Sequence, residues 1–309
     1  MWDIIYIMVY IRKVTVSGKE YFVLSHGVRI NGKVRKISKY VGKNMPPKKE
    51  LEKMKAEFES EIKILDEPEI LTDAQKKTIG EIKSNYLKHL KKLDKNDLEK
   101  LDENILENFT YNTNAIEGSR LALADVRSVF EGATPEGKLL RDIYGAKNMR
   151  EAYNYIKKLR SLSQKELLKI HEIAMQDILS TDLGRYRSVQ VYIGKYVPPP
   201  PEKVPELMKE LLAWLRIAGK KLHPFELACK LHVKFENIHP FRDGNGRVGR
   251  LVMNYILIMS GYPLLDIKFE NRPRYYNILE QQSGKDDFKP FIDFAFDTYA
   301  KMAKERNWL

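Results

Sequence analysis

The chain has 309 residues, 43% of them apolar and 31% charged, with a single cysteine, Cys229. This length and balance suit one large domain or two smaller ones and exclude a fibre or a disordered chain. One cysteine excludes an intramolecular disulfide and fits a reducing compartment. The net charge of +12 is uneven: residues 1–50 hold eleven Lys/Arg and three Asp/Glu, a surplus of +8. Such a surplus marks either a nucleic-acid-binding patch or a solvated face.

The first apolar run, Ile4 to Ile11, is far short of the ~20 residues that span a bilayer, and basic residues follow rather than precede it. A cytoplasmic protein with no membrane partner is therefore expected. Val14 to Leu24 reads as two strands joined by a Ser17-Gly18 turn, and Asn31-Gly32 inside Val28 to Val34 signals a hairpin. Three or four antiparallel strands follow, forming a small basic β-rich unit over 1–45 that closes at Pro46-Pro47. From Lys48 the chain reads as helical, with segments 48–64 and 72–94 inside a linker or accessory region, 46–98. Residues 99–309 form the main domain, so the fold class is mainly α.

Within that domain, Val189 to Val197 reads as a hairpin ended by the Pro198 to Pro201 run. His171 falls in a helical run, Glu166 to Ile178, as a packed or capping histidine. A helix over 224–238 starts on Pro224, which makes His223-Pro224-Phe225 a helix start. A helix over 246–260 carries one apolar stripe, Val248, Leu251, Val252, Tyr255, Ile256 and Met259, and Gly261 and Pro263 end it.

The chemistry lies between those two helices, in His239-Pro240-Phe241-Arg242-Asp243-Gly244-Asn245-Gly246-Arg247-Val248-Gly249-Arg250. Gly-Asn-Gly opens a helix whose unobstructed N–H groups can converge on an anion. Arg247 and Arg250 share the start of one helix face, and each can grip phosphate oxygens through paired donors. Asp243 is a lone carboxylate beside this cradle, which suits Mg²⁺ shared with substrate phosphates. His239 is a natural acceptor for the proton of an attacking hydroxyl. A base, a metal ligand, an anion site and two cations together describe transfer of a phosphorus centre.

This segment resembles the Fic family signature, His-Pro-Phe-x-[Asp/Glu]-Gly-Asn-Gly-Arg-x-x-Arg, at all nine fixed positions. The resemblance runs roughly from residue 100 to 300 and takes in Gly184-Arg185-Tyr186-Arg187, the 189–197 hairpin and Tyr275-Tyr276. It looks closest to the branch that includes the animal enzyme modifying the chaperone BiP. It implies a Fic-type helical bundle with a β-hairpin flap and a core near 163–300, preceded here by the small antiparallel β unit. It implies a protein adenylyltransferase that moves AMP from ATP, with Mg²⁺, to a Ser, Thr or Tyr hydroxyl. In that scheme His239 takes the proton, Asp243 holds Mg²⁺, and Gly244, Asn245 and Gly246 hold the phosphates. Arg247 and Arg250 neutralise the leaving pyrophosphate, Tyr275 and Tyr276 contact the adenosine, and Ser283 stands near the adenine. Ile193, Gly194, Lys195 and Tyr196 form the flap that borders the nucleotide.

Thr113-Asn114-Ala115-Ile116-Glu117-Gly118 is similar to the family's inhibitory motif, [Ser/Thr]-x-x-x-Glu-[Gly/Asn]. The resemblance implies an inhibitory helix near 104–118 whose Glu117 forms a bidentate salt bridge with Arg250 and so withholds a cation from ATP. In the related branch such a glutamate also supports removal of AMP. The partners expected are an extended protein segment added to the flap edge, the chain itself as a target, and a second copy in a homodimer. Two alternatives stay open: a mainly AMP-removing hydrolase, and a nucleic-acid-binding regulator centred on residues 1–45 with a vestigial site.

Overall fold

The structure, a computed structural model, describes residues 9–30 and 33–309, with the side chains of 28–30 and 33–35 left aside. The chain divides into two compact units. One comprises Met1–Glu69 with Trp214–Leu222, the other Ile70–Ala213 with His223–Leu309.

In the first unit, β1 (Tyr10–Val16), β2 (Lys19–Ile30) and β3 (Lys33–Gly42) form an antiparallel sheet in that order. Ser17 and Gly18 both take positive φ, 52° and 73°, as a two-residue hairpin turn requires. The Asn31-Gly32 turn lies outside the described residues, and Ile30 and Lys33 on either side of it are register partners. One face of the sheet is apolar, and α1 (Lys48–Asp66) covers it. Leu24, Phe58, Ile62, Leu65 and Ile217 are buried together there, with Ile11, Ile37 and Val41 packed around them. Lys39 adds ion pairs to Glu57 and Glu61 on α1. The break expected at Pro46-Pro47 therefore falls inside a compact unit. An isolated sheet of this size would leave Leu24 in water, and α1 supplies the missing cover.

The second unit is helical: α2 (Asp73–Leu90), α3 (Lys95–Ile116), α4 (Leu123–Phe130), α5 (Leu140–Ile156), α6 (Gln164–Met175), α7 (Val204–Ala218, its last residues in the first unit), α8 (Pro224–Ile238), α9 (Asn245–Met259), α10 (Arg272–Gln282) and α11 (Lys289–Glu305). Capping sets several ends. Thr72 and Gln75 form a capping box at α2. The Asp94 carboxylate accepts from Asp97 N, so α3 starts well before residue 104. The α8 helix occupies the expected span behind its Pro224 start. It packs tightly against α9 at Gly249, where a Cβ would lie 2.7 Å from Glu236 Oε1.

The expected hairpin at 189–197 is not a pair of strands. A single bridge, Ile193 to Tyr196, closes around Gly194 at φ 55°. Side chains take the carbonyls that a ladder would use: Arg187 donates to Val189 O and Pro199 O, and Gln190 to Val191 O and Pro198 O. Proline at 198–201 offers no N–H in return. Among the described residues no helix is long and apolar enough to cross a membrane.

One buried carboxylate ties α3 to the segment after α9. Asn112 Nδ2 donates to Asp266 Oδ2 at 2.8 Å, while Asn112 Oδ1 accepts from Phe269 N. Burial pushes the Asp266 carboxyl from 3.8 up to about 6, against the lowering effect of Asn112. Its raised folded value means the native state binds more protons than the unfolded chain between those limits. Asp266 thus favours folding at pH ~4 and lower, and weakens it as pH rises through about 6. Asp266→Asn is expected to raise stability at pH 7 by roughly 1–3 kcal/mol relative to its effect at pH 4. Urea unfolding of both proteins at the two pH values checks this, and a pH-independent difference would contradict it.

Candidate active site

The loop from His239 to Gly244 joins α8 to α9 and is shaped by two left-handed residues. His239 ends α8 at φ 49°, ψ 62°, an uncommon conformation for a residue with a side chain. Gly244 precedes α9 at φ 83°, and a Cβ there would meet Met175 Sδ at 2.5 Å. Only glycine meets both demands. The Asn245 side chain ties the loop to itself, accepting from Phe241 N and donating to Phe241 O. Phe241 is fully buried, and the His171 ring stacks on it at 3.8 Å. His171 Nδ1 accepts from Gly184 N, so its proton is on Nε2, which donates to Asp243 O. Burial holds His171 down at about 4, neutral at physiological pH. It is a packing and loop-tying residue.

No side chain caps α9. Arg247 is 5% exposed with Nε unpartnered, its Nη2 3.6 Å from Asp243 Oδ1. A bare helix N-terminus beside an incompletely paired, buried guanidinium suits an anion. Asp243 itself is part-exposed, with Arg141 Nη2 at 3.1 Å. Among the described residues no group of three or more His, Cys, Asp or Glu stands ready for a metal. A lone accessible carboxylate beside a phosphate cradle fits Mg²⁺, which takes much of its shell from water and substrate oxygens.

Arg250, one turn further along α9, is 1% exposed. Nε donates to Thr113 Oγ1, Nη2 to Thr113 O and to Glu117 Oε1 at 2.6 Å, and Nη1 to Tyr275 OH. Burial alone would weaken its proton affinity, but Tyr275 and Glu117 outweigh it and raise the pKa. The contact with Glu117 runs through one carboxylate oxygen, where a two-point grip was expected: Thr113 takes Nε and the other Nη2 hydrogen, and Nη1 turns to Tyr275 OH. A Cβ on Gly246 would collide with that same oxygen. Glu117 thus stands over the first turn of α9. Tyr276 OH donates to Ile116 O and fixes the end of α3.

These residues surround a cleft of ≈ 430 Å³. Glu117, Ile193, Gly194, His239, Gly246, Arg250, Tyr275, Tyr276 and Ser283 line it, joined by Tyr192, Glu236, Asn237, Leu279 and Glu280. Arg247 instead lines an adjoining cavity with Glu117 and Arg141. Lys195 is exposed and does not line the cleft. Tyr196 anchors the flap through its hydroxyl to Asn237 O.

Two residues gain a place that the sequence did not suggest. Arg187, 2% exposed, donates to His239 O, Val189 O, Pro199 O and Ile238 O, clamping the flap to the loop after α8. Glu236 lies with Oε2 3.5 Å from His239 Nδ1. Burial opposes its charge, but His239, His232 and Arg250 together lower its pKa. That places a carboxylate behind one imidazole nitrogen and leaves Nε2 for the cleft. The spacing of His232, Glu236 and His239, i, i+4 and i+7, was the available signal.

The model of the Fic/DOC family matches residues 161–257. A relative called "Protein adenylyltransferase Fic" from Nematostella vectensis is 37% identical over 60% of this chain and 45% of its own length. One of the same name from Culex quinquefasciatus is 34% identical over 60% and 39%. The chain spans less than half the length of these curated relatives. A Fic family protein from Desulfovibrio desulfuricans G20 superposes with a TM-score of 0.64 at 30% identity, covering 77% of this chain and 75% of that one. A Fic domain containing signaling protein from Bacteroides thetaiotaomicron gives 0.66 at 26% identity, covering 74% and 94%. The bundle, the loop and these similarities agree: the chain belongs to the Fic family.

Arg187→Lys is expected to loosen the flap, because one ammonium cannot span four carbonyls. Loss of one or two charge-assisted hydrogen bonds, ~1.5–3 kcal/mol each, should speed amide exchange at Ile193 and Tyr196 by tenfold or more. Exchange in α9 should hold. Unchanged protection at the bridge pair would show that the clamp is dispensable.

Proposed function

We propose that this protein is an adenylyltransferase that moves AMP from ATP to a Ser, Thr or Tyr hydroxyl of a protein, held in check by Glu117. The observation that carries this reading is the Glu117–Arg250 contact at 2.6 Å, seated over Gly246 in a cleft that also holds His239. The names of the relatives support it at the level of the family.

In the proposed reaction a target hydroxyl attacks the α-phosphorus of ATP. The bond from that phosphorus to the bridging oxygen breaks, and pyrophosphate leaves. His239 takes the hydroxyl proton on Nε2, with Glu236 facing Nδ1. The start of α9, Arg247 and Arg250 offset the charge on the departing phosphates. Asp243 would hold Mg²⁺, which when bound supplies further charge neutralisation there. Tyr275, Tyr276 and Ser283 line the part of the cleft suited to adenosine. The flap around Ile193 and Gly194 presents backbone to which an extended target segment, of another protein or a second copy of this one, can add.

Glu117 opposes this in two ways. It occupies Arg250, and it sets a carboxylate where a phosphate oxygen would approach Gly246. A misplacement of about 1 Å at the reacting centre can cost on the order of 100-fold in rate. The same cleft brings Glu117 and His239 together, which also suits a water-dependent removal of AMP from a modified protein.

Glu117→Gly is expected to raise self-labelling by ATP at least tenfold, the equivalent of ~1.4 kcal/mol. The gain should vanish in Glu117→Gly/Arg250→Ala. Labelling with α-labelled ATP and release of labelled AMP from pre-modified protein are measured side by side. A Glu117→Gly protein no more active than wild type in transfer would leave Glu117 as a helix end only.

His239→Ala in the Glu117→Gly background should reduce transfer by roughly 100- to 10,000-fold while ATP binding stays nearly constant. The phosphate-facing groups run from Gly244 to Arg250 and are untouched. Calorimetry with ATP separates the two effects. Affinity falling as far as rate would remove His239 from the role of base.

A further inference from the structure

The sheet of the first unit has two faces of opposite character. Strand partners share a face. The pairs Tyr10–Ser25, Arg12–Val23, Val14–Tyr21, Val23–Tyr40 and Gly27–Lys36 therefore set Tyr10, Arg12, Tyr21, Lys36 and Tyr40 on the side away from α1. Tyr10 and Tyr40 are 42% and 57% exposed. Lys36 Nζ lies 5.3 Å from the Tyr10 ring centroid, and the Tyr21 and Tyr40 rings are 5.8 Å apart. Between these aromatic groups, Arg12 Nε donates to the buried Ser25 hydroxyl, which also bonds Ser38. This ties the guanidinium to the sheet.

Among the described residues, the acidic groups that pair with the sheet lie on the other side. Glu57 and Glu61 of α1 meet Lys39 there, and Glu20 pairs with Lys13. The sequence from Tyr21 to Lys49 contains no Asp or Glu and eight Lys or Arg. A face that joins exposed flat rings to fixed cations, with no carboxylate among its described residues, matches a polyanion that also offers flat surfaces.

We propose that this face binds single-stranded nucleic acid, the bases stacking on Tyr10 and Tyr40 and the phosphates meeting Arg12 and Lys36. Base–aromatic stacking tolerates any sequence, because every base has a π-face. A duplex buries those faces within its own stack, so the tyrosines favour the single strand. Neighbouring strands lie about 4.8 Å apart, which gives a three-stranded sheet room for two or three bases. An anionic membrane would need aliphatic groups to insert, and an acidic peptide would gain little from stacked rings.

The test uses the full chain and fluorescein-labelled oligo(dT), oligo(rU) and duplex DNA of about 16 nucleotides or base pairs. Fluorescence anisotropy is followed between roughly 50 and 200 mM salt. Both single strands should bind, with duplex at least tenfold weaker. Affinity should fall with salt, and Arg12→Gln/Lys36→Gln should flatten the log–log slope by about 1.4, or ~0.7 for each phosphate no longer neutralised. Tyr10→Ala or Tyr40→Ala should weaken binding roughly 5- to 100-fold, and the Phe variants, which keep the ring, should bind within a few-fold of wild type. Circular dichroism checks the fold, and if an Ala variant unfolds, Tyr40→Trp, expected to tighten binding, takes its place. No binding at the lower salt, equal affinity for duplex, or equal affinity of Ala and wild-type proteins would each overturn the proposal. So would phosphatidylserine vesicles or polyglutamate that compete as well as unlabelled oligo(dT).

Discussion

A fully buried guanidinium organises the second unit. Arg250 cannot shed its charge, and burying it without partners would cost several kcal/mol. The fold meets that demand from three directions. Thr113 comes from α3, Tyr275 from α10, and Glu117 from just past the end of α3. One side chain on α9 thereby draws together the helices that wall the cleft. Tyr275 carries the arrangement further. Its oxygen accepts from Arg250, which turns its hydrogen toward His232 Nε2 at 2.9 Å. His232 lies one helical turn from Glu236, and Glu236 faces His239. Hydrogen bonds thus run from Glu117 through Arg250 and Tyr275 to His232, and from there only the charge of Glu236 couples the series to the candidate base.

The loop proposed to bear the chemistry depends on equally specific constraints. His239 sits in a left-handed conformation that a histidine adopts only when its surroundings hold it. Arg187 takes its carbonyl, Phe235 O accepts its N–H, and Phe241 is locked between His171 and Phe235 two residues later. Asn245 closes the loop on its own backbone. Its side chain therefore serves the loop's geometry at the start of the helix. The flap is attached to this loop by Arg187, so the two share one clamp.

Much of this was legible in the sequence where the signal was local. Twelve consecutive residues, His239 to Arg250, specified a turn, a helix start and a charge pattern, and proline and glycine marked the ends of α8 and α9. Helix starts without such punctuation were less clear: α3 begins at Lys95 because Asp94 caps it, in a stretch rich in Asp, Asn and Lys with many equivalent caps. The segment 189–197 reads as strand by its Val, Tyr and Ile content, yet side chains from Arg187 and Gln190 claim its carbonyls. That competition is invisible to propensity. The role of Arg187 was hidden although its segment resembled the family's, because the carbonyls it takes are spread over the chain, and that of Glu236 because the spacing His232, Glu236, His239 reads equally well as ordinary helix packing. The join of α1 to the sheet was masked by Pro46-Pro47, which punctuate the chain but do not divide its core.

The proposed control by Glu117 raises an energetic difficulty that the geometry resolves. Removing one partner from a buried ion pair costs ~3–5 kcal/mol, which would make a poor switch. Arg250, however, keeps Thr113 Oγ1, Thr113 O and Tyr275 OH when Glu117 departs. Glu117 is also the less buried partner, 29% exposed at its side chain, so its carboxylate can regain water as it leaves. It follows the last turn of α3 and precedes Gly118 at φ 95°, where the chain can turn without unwinding the helix. Asn112, Thr113 and Ile116 hold α3 in place meanwhile, through Asp266, Arg250 and Tyr276. The contact proposed to block the cleft is thus made by the most exposed of the cation's partners. A phosphate oxygen arriving at Arg250 needs to replace one carboxylate oxygen, not to rescue an abandoned charge. If phosphate and Glu117 compete for Arg250 as proposed, linked equilibria make the effect reciprocal: whatever stabilises Glu117 on Arg250 weakens phosphate binding by the same factor, and bound phosphate weakens Glu117's hold equally.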